Sequence, residues 1–486
     1  MLELPAISRR GFFVFMALFI ALSTYMTTRE QYWFLAVPVA LWFVYFITFS
    51  IDRSLLFITA VTPLSMLVDL KEVGISFTLP TEPLLLGMMV LFYIKLLIEG
   101  KYDKRAFFHP VTLTLVAYLF WMVFTAINST LPLISLKFIL SNLWFITCFY
   151  FIGIQVFRKR SNLHLFLWLY LISMLIVCGY TIFQHAGDGF TKQAADWAAQ
   201  PFVINHGIYA AMIAFFMPFA TIYLLQSRLF TNKPLVSFIM LGILLFLTLA
   251  IILSYTRAAW VSVLAALAFY GVLQLRIKFQ SLLILLGLLV VGFFAFQTEI
   301  LMRLERNKTD SATDMSKHVK SISNIRTDAS NLERLNRWSS AWRMFQEKPI
   351  LGWGPGTYIL KYAPYQKPQD KTIVSTNMAD IGGIHSEYLG PLVEMGIPGF
   401  LLFLTFIGVV LQRAMKLYYE LQNGYMRQTV LMLLLGLITY LTHGFLNNYL
   451  DIDKTAVLFW GFIGMLTAID LYHRNDGEPS GFETNT

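Results

Sequence analysis

The chain has 486 residues, 57% of them hydrophobic, with 37 Lys and Arg against 28 Asp and Glu. A charge density about half that of soluble domains excludes an ordinary water-soluble enzyme. The formal net charge of +9 is spread in small basic groups between apolar runs, as topology signals are, so no nucleic-acid partner is expected.

A membrane-crossing helix takes about 20 apolar residues, and runs such as 235–254 (LVSFIMLGILLFLTLAIILS) are apolar on every face. Outer-membrane barrels alternate apolar and polar residues instead, so the expectation is an all-α polytopic membrane protein. The apolar runs predict fourteen spans: 11–27, 31–50, 54–70, 79–98, 111–128, 133–157, 162–185, 203–227, 235–254, 258–275, 279–297, 387–411, 429–447 and 455–472. If Arg9 and Arg10 hold the N-terminus in the cytoplasm, alternation puts seventeen basic residues on that side, among them Arg53, Lys104, Arg158, Arg228, Arg276, Lys278, Lys416 and Arg474. The short outer connections carry only Arg29, Lys71, Lys192, Arg257 and Lys454, the asymmetry of a positive-inside protein. Ser8-Arg9-Arg10 also resembles a twin-arginine signal. No small-residue cleavage site follows, so the first span is expected to stay.

This reading divides the chain into N-terminal helices (1–200), central helices (201–297), an outer loop (298–384), C-terminal helices (385–472) and a cytoplasmic tail (473–486). Cys148 and Cys178 lie inside apolar runs, and the carboxylates show no metal spacing. Neither a metal nor a redox cofactor is expected.

Chemistry-bearing residues gather at predicted outer ends. Arg257, in Ser254-Tyr255-Thr256-Arg257, stands at the outer edge of a span. It is either an anion ligand or a snorkelling side chain. The 87-residue loop 298–384 holds 13 Lys and Arg against 9 Asp and Glu, an outer excess that suggests an anionic partner. Within it, residues 331–346 predict an amphipathic helix with Leu332, Leu335, Trp338, Trp342 and Phe345 on one stripe, suited to the membrane surface. Arg334 and Arg337 share a face of that helix. Gly352-Trp353-Gly354-Pro355-Gly356 then reads as a turn; it lacks the Lys-Ser or Lys-Thr of a phosphate-binding P-loop.

His385 and Ser386 follow where the loop meets the next span. A histidine at an aqueous boundary is a candidate general base, with a capping role as the alternative. Glu394 lies inside the span and is expected to be protonated or to orient a cation. Gly396 and Gly399 flank Pro398, which predicts a kink or a close helix contact. His443, Asn447, Asn448, Asp451 and Asp453, and His206 beside Asn205, read as interfacial caps. Together, arginines and an imidazole at one membrane boundary are the equipment for moving a group from a phosphorylated lipid to a hydroxyl.

The string His385-Ser386-x9-Gly396-x2-Gly399-Phe400, preceded by Arg337-Trp338 and Pro349-Ile350-Leu351-Gly352-Trp353-Gly354-Pro355-Gly356, resembles the O-antigen ligase and polymerase superfamily of bacterial membrane glycosyltransferases. Ser254-x-Thr256-Arg257 resembles a further motif of that family, and the likeness is strongest over 245–447. The resemblance implies a GT-C-like, metal-independent, inverting transfer of glycan from undecaprenyl diphosphate to a sugar hydroxyl at the periplasmic face of the bacterial inner membrane. The acceptor is lipid A core or another glycan. By the resemblance His385 activates the acceptor, and Arg257 and Arg337, with Arg334 beside them, bind the diphosphate. Two departures stand out. Only Lys192 occupies the outer loop where such ligases often carry another arginine, and fourteen spans exceed the usual twelve. A repeat-unit polymerase and a transporter or flippase of lipid-linked sugars are the alternatives. A transporter predicts mid-membrane charges and matching halves; this sequence has few midspan charges and no clear internal repeat.

Overall fold

The computed structural model of the protein describes residues 9–30, 50–70, 75–100, 102–230, 234–285, 287–288, 329–368 and 382–474. It divides into two units, Met1–Ser54 and Leu55–Thr486. The first contains helix α1 (Arg9–Thr28), which leaves Phe13, Val14, Leu18 and Ile20 exposed. The expected span 31–50 and most of 279–297 lie outside the described residues.

The expected span 54–70 is not a single helix. Helix α2 (Ile51–Val61) tightens into a 3-10 turn at Thr62–Leu64 and gives way to an antiparallel hairpin of β1 (Met66–Leu70) and β2 (Ile75–Leu79), with Met66 opposite Leu79. Pro63 supplies no backbone N–H to continue an α-helix. The segment beyond it, rich in Val, Ile, Thr and Phe on alternating faces, suits paired strands. This hairpin is the one departure from an all-α chain among the described residues.

Ten helices in the described residues are long and apolar enough to cross a membrane. They are α3 (Thr81–Glu99), α4 (Pro110–Ile127), α5 (Pro132–Val156), α6 (Arg160–Gly187), α7 (His206–Leu225), α8 (Pro234–Leu253) and α9 (Arg257–Gln274), then α11 (Leu389–Glu420), α12 (Gly424–His443) and α13 (Asp453–His473). Each matches one of the predicted spans. Between α9 and α11 lies a non-spanning helix, α10 (Ala329–Glu347).

The interior is built by α7, α12 and α13, which are buried along most of their length. Phe215 of α7 stacks on Tyr440 of α12 at 5.2 Å and meets Phe462 of α13 edge-on at 5.4 Å. Gly436 admits that close approach, since a Cβ there would lie 2.6 Å from the Phe462 ring. The outer helices leave side chains such as Leu235, Phe238 and Leu245 exposed, as a lipid-facing surface requires. Lipid gives helices no hydrophobic reason to associate, so packing and interhelical polar contacts hold them.

Polar contacts join the helix ends in two groups. At one end His109 meets Asp470 at 3.0 Å, Tyr472 donates to Asp103 at 2.9 Å, His473 meets the Phe157 carbonyl at 3.0 Å, and Arg160 lies over the Tyr425 ring. Arg158, Lys159, Arg160, Arg413, Lys416 and Arg474 cluster there. At the other end Thr130 donates to the Trp353 carbonyl, Tyr255 to the Phe190 carbonyl, Thr256 to the His206 carbonyl and the Tyr449 N–H to Glu387, near Lys192, Arg257 and Lys454. Outside the docked loop, more of these basic residues lie at the first end than at the second.

Candidate active site

The polar end is organised by a break in α11. At Gly396 the backbone leaves helical geometry (φ 68°, ψ −171°), freeing carbonyls that an intact helix would bond. The glycine-rich turn satisfies them: Trp353 N–H donates to Val393 (3.1 Å), Gly354 N–H to Glu394 (2.9 Å), and Trp121 Nε1 of α4 to Met395 (2.9 Å). In return the Ile397 N–H donates to Pro349 at 2.8 Å. Residues 349–354 thus lie against the broken turn. Only glycine fits at Gly396, where φ is left-handed and a Cβ would strike the Ile350 carbonyl.

Glu394 completes this docking. Its carboxylate accepts from the Gly356 N–H at 2.8 Å and the Tyr358 N–H at 3.0 Å. The sequence suggested a carboxyl that is protonated or orients a cation; its partners here are two backbone amides, because the turn presents its N–H groups to the break. Gly399 lies beneath, where a Cβ would come within 3.2 Å of the Trp121 ring. Ser386 is buried, and its Oγ faces the backbone N–H groups of Tyr388 and Leu389 at 3.3 and 3.4 Å, where α11 begins. It serves as a cap.

Helix α10 sits over this platform. The sequence put an aromatic stripe on its working face. The most buried positions are instead Glu333, Asn336, Arg337, Ser340, Ala341 and Met344, while Trp342 is exposed. Ala341 and Met344 join Tyr358, Tyr362, Ile384 and Val393 in one apolar cluster. The helix therefore packs on the protein through a stripe of mixed polarity. What makes that burial possible is Arg337, whose Nε bonds Glu333 at 2.6 Å, whose Nη1 donates to the Gly382 carbonyl at 3.0 Å, and whose guanidinium lies 4.0 Å above the Tyr362 ring. A buried cation with a carboxylate, a carbonyl and an aromatic face has the partners burial demands.

His385 lies at the edge of α10. Its backbone is left-handed at φ 55°, a conformation that costs a non-glycine residue about 1–3 kcal/mol. Two bonds hold it there: its N–H donates to Asn448 Oδ1 at 3.0 Å, and its carbonyl accepts from Trp338 Nε1 at 3.3 Å. Removal from solvent, then the charges of Arg334 and Arg337, push the imidazole down to about 4, with Glu333 opposing. At neutral pH the ring is uncharged and free to accept a proton. Arg334 is less buried than Arg337 and donates from Nε to the Leu446 carbonyl at 3.0 Å.

Glu387, two residues on, went unnoticed in the sequence. Its Oε1 accepts from the Tyr440 hydroxyl (2.5 Å), the Tyr449 N–H (2.6 Å) and the Leu450 N–H (2.9 Å), fastening the segment after α12 to the start of α11. Loss of solvent raises this carboxyl to about 7 against those hydrogen bonds. Only its nearness to His385 in the sequence could have singled it out. Glu333 and Tyr362 likewise carry no pattern of their own.

Arg257 is the first residue of α9, just after Tyr255, which is left-handed at φ 52°. A chain of contacts leads from this corner to His385. Thr256 Oγ1 donates to the His206 carbonyl at 3.2 Å. Gly207 packs against Tyr449, whose ring carbon a Cβ would approach to 3.3 Å, and Tyr449 is bound to Glu387. His206 pairs with Asp196. Lys192 is exposed at the start of a short helix, Lys192–Ala195. Its loop touches the Arg257 corner through the Tyr255 hydroxyl, which donates to Phe190 at 2.9 Å. His385, Arg334 and Arg337 thus share one locale, and Arg257 and Lys192 border it. Among the described residues, no three His, Cys, Asp or Glu side chains are grouped to hold a metal ion.

Ten long apolar helices among the described residues, with a docked loop over one end, are consistent with a polytopic membrane protein. Residues 242–404, about a third of the chain, match the family model described as O-antigen ligase. The matched stretch contains Arg257, Arg334, Arg337, His385, Glu394, Gly396 and Gly399; Lys192 lies outside it. No curated protein matches the chain.

Proposed function

We propose that the protein transfers a glycan from undecaprenyl diphosphate to a sugar hydroxyl, at the periplasmic face of a bacterial inner membrane, by a metal-independent inverting reaction on a GT-C-like fold. The observation that carries this reading is the uncharged His385 imidazole held beside Arg334 and Arg337. In the proposed step the acceptor oxygen attacks the anomeric carbon and gives its proton to His385. The bond from that carbon to the diphosphate oxygen breaks, its electron pair leaving on the diphosphate. Arginine suits that leaving group because its planar fork matches phosphate oxygens.

The roles divide by exposure. Arg334 and Arg257, partly open, would meet the diphosphate, with Lys192 as an outlying point charge. Arg337, fully engaged by Glu333, Gly382 and Tyr362, would contribute a fixed positive field while keeping α10 in place. Glu394, Ser386, Gly396 and Gly399 would support the site by holding the glycine-rich turn and the start of α11. Segregation of basic residues to the opposite end supports a periplasmic site and cytoplasmic termini.

The test is incubation of purified protein with an undecaprenyl-diphosphate-linked glycan and, separately, lipid A core or a second lipid-linked repeat unit. Product on lipid A core is the expected result and identifies a ligase. Product only on the second repeat unit identifies a polymerase, and release of lipid-linked sugar to the other leaflet without a new glycosidic bond would refute transferase activity.

A further inference from the structure

We propose that the membrane end opposite the candidate active site holds a binding pocket for the phosphate of an anionic phospholipid. Helices α9 and α11 both begin at the active-site end and run to this one. The 32 residues of α11 cover roughly 45 Å at 1.5 Å per residue, about a bilayer with its headgroups. Where the two helices end, a cavity of about 380 Å³ opens between them.

Three cations line the cavity: Arg276 and Lys278 after α9, and Lys416 on α11. Phe279, Met415 and Tyr419 give it an apolar wall. The walls are fixed to each other, since the Tyr419 hydroxyl donates to the Leu273 carbonyl at 3.1 Å and Gln274 Nε2 donates to the Tyr418 hydroxyl at 3.3 Å. Arg276 is left-handed, at φ 53°, and the Ile277 N–H returns to the Val272 carbonyl at 3.2 Å. That turn doubles the chain back, so that Arg276 and Lys278 border the cavity instead of continuing away from it.

The local charge balance favours an anion. Among the described residues Glu420 lies 3.7 Å from Lys416 and also pairs with Arg474. Among the described residues Arg276 and Lys278 have no carboxylate partner. A topology signal needs only basic residues near a span end. It does not need them converging from two helices on a cavity with aromatic and thioether walls. A phosphodiester at headgroup depth matches the cations, and the glycerol and first methylenes of the same molecule match Phe279 and Met415. A free phosphate would leave that apolar wall without a partner.

The experiment uses the full-length protein, stripped of lipid in detergent, titrated with phosphatidylglycerol or phosphatidylethanolamine and read by native mass spectrometry. Phosphatidylglycerol is expected to be retained and phosphatidylethanolamine to be lost. Each basic side chain at an anionic surface is worth about fivefold in affinity, so Arg276→Gln with Lys278→Gln should weaken phosphatidylglycerol binding about thirtyfold. Arg158→Gln with Lys159→Gln removes equal charge at the same membrane end, outside the cavity, and should leave binding within about twofold. Equal weakening by both pairs would overturn the pocket in favour of general surface charge. Displacement by millimolar inorganic phosphate, or equal retention of both lipids, would overturn the phospholipid assignment.

Discussion

At His385 the ring nitrogens matter less than the charges around them. Burial and two arginines hold the imidazole at about 4, which keeps it neutral but makes it a weak base when the site is empty. A bound diphosphate would cancel part of the arginine field and raise its basicity where acceptor and donor are both present. The pH profile of kcat/KM, which reports the free enzyme, should therefore stay flat down to about pH 5, while the inflection in kcat should lie higher. A kcat inflection at or below that of kcat/KM would count against coupling between donor and imidazole. His385→Ala should lower turnover by about 10²–10⁴-fold with normal yield of folded protein, and unchanged turnover would remove it as the base. Arg257→Lys should also impair transfer, because a point charge lacks the guanidinium fork; full activity with lysine would reduce Arg257 to a snorkelling side chain. Glu387 gives a stability signature of definite sign. Its folded carboxyl, near 7, lies above its ordinary value near 4.5, so the folded state binds the extra proton. The stabilisation is complete below about pH 4.5 and is lost as pH rises toward 7. Thermal unfolding of Glu387→Gln should accordingly be less pH-dependent between about pH 5 and 7.5 than that of the parent.

Among the elements, the broken α11 and the turn at 349–358 make one unit that neither segment could form alone. Breaking α11 leaves buried carbonyls at 393–395, each costing about 1–3 kcal/mol if unpaired; the turn supplies donors to two of them and Trp121 of α4 to the third. Glu394 secures it from the other side through Gly356 and Tyr358. Glu394→Ala should free the turn, seen as faster proteolysis within 349–368 and a loss of transfer, whereas Glu394→Gln keeps an acceptor oxygen and should lose less. Equal proteolysis in parent and Glu394→Ala would mean that the turn is held without it. Gly396→Ala should be the more severe change, since it combines a left-handed φ with a clash against Ile350. Helix α10 teaches a related lesson. Its aromatic stripe was visible in the sequence, yet the face it buries is the one carrying Glu333 and Arg337, because an ion pair over Tyr362 can be buried when each partner is satisfied.

For the molecule as a whole, the ten apolar helices among the described residues follow from solvent physics: a segment that spans lipid in an all-α chain must be helical, because no water is present to bond its backbone. The proposed orientation can be tested with single cysteines introduced in living cells, where the native Cys148 and Cys178 are buried. A cysteine at Gln193 should react with a membrane-impermeant maleimide from outside, and one at Gln280 should not; the reverse pattern would turn the protein over. Hydropathy could not show that 54–70 ends in a hairpin, since an apolar run with β-branched residues satisfies a helix or a strand, and the choice lay with Pro63 and the pairing of Met66 with Leu79.

Length, apolar periodicity and charge distribution thus determined by themselves that this chain is helical and membrane-spanning, and they singled out His385, Arg257 and the glycine string, because those signals are local. Tertiary structure alone decided that Arg334 and Arg337 act electrostatically on His385, that Glu394 bonds amides and not an arginine, and that Glu387 ties α11 to the segment after α12. Each of these is a contact between side chains or backbone groups distant in sequence, or a choice among partners that only packing presents. Spacing along a chain carries no record of such choices.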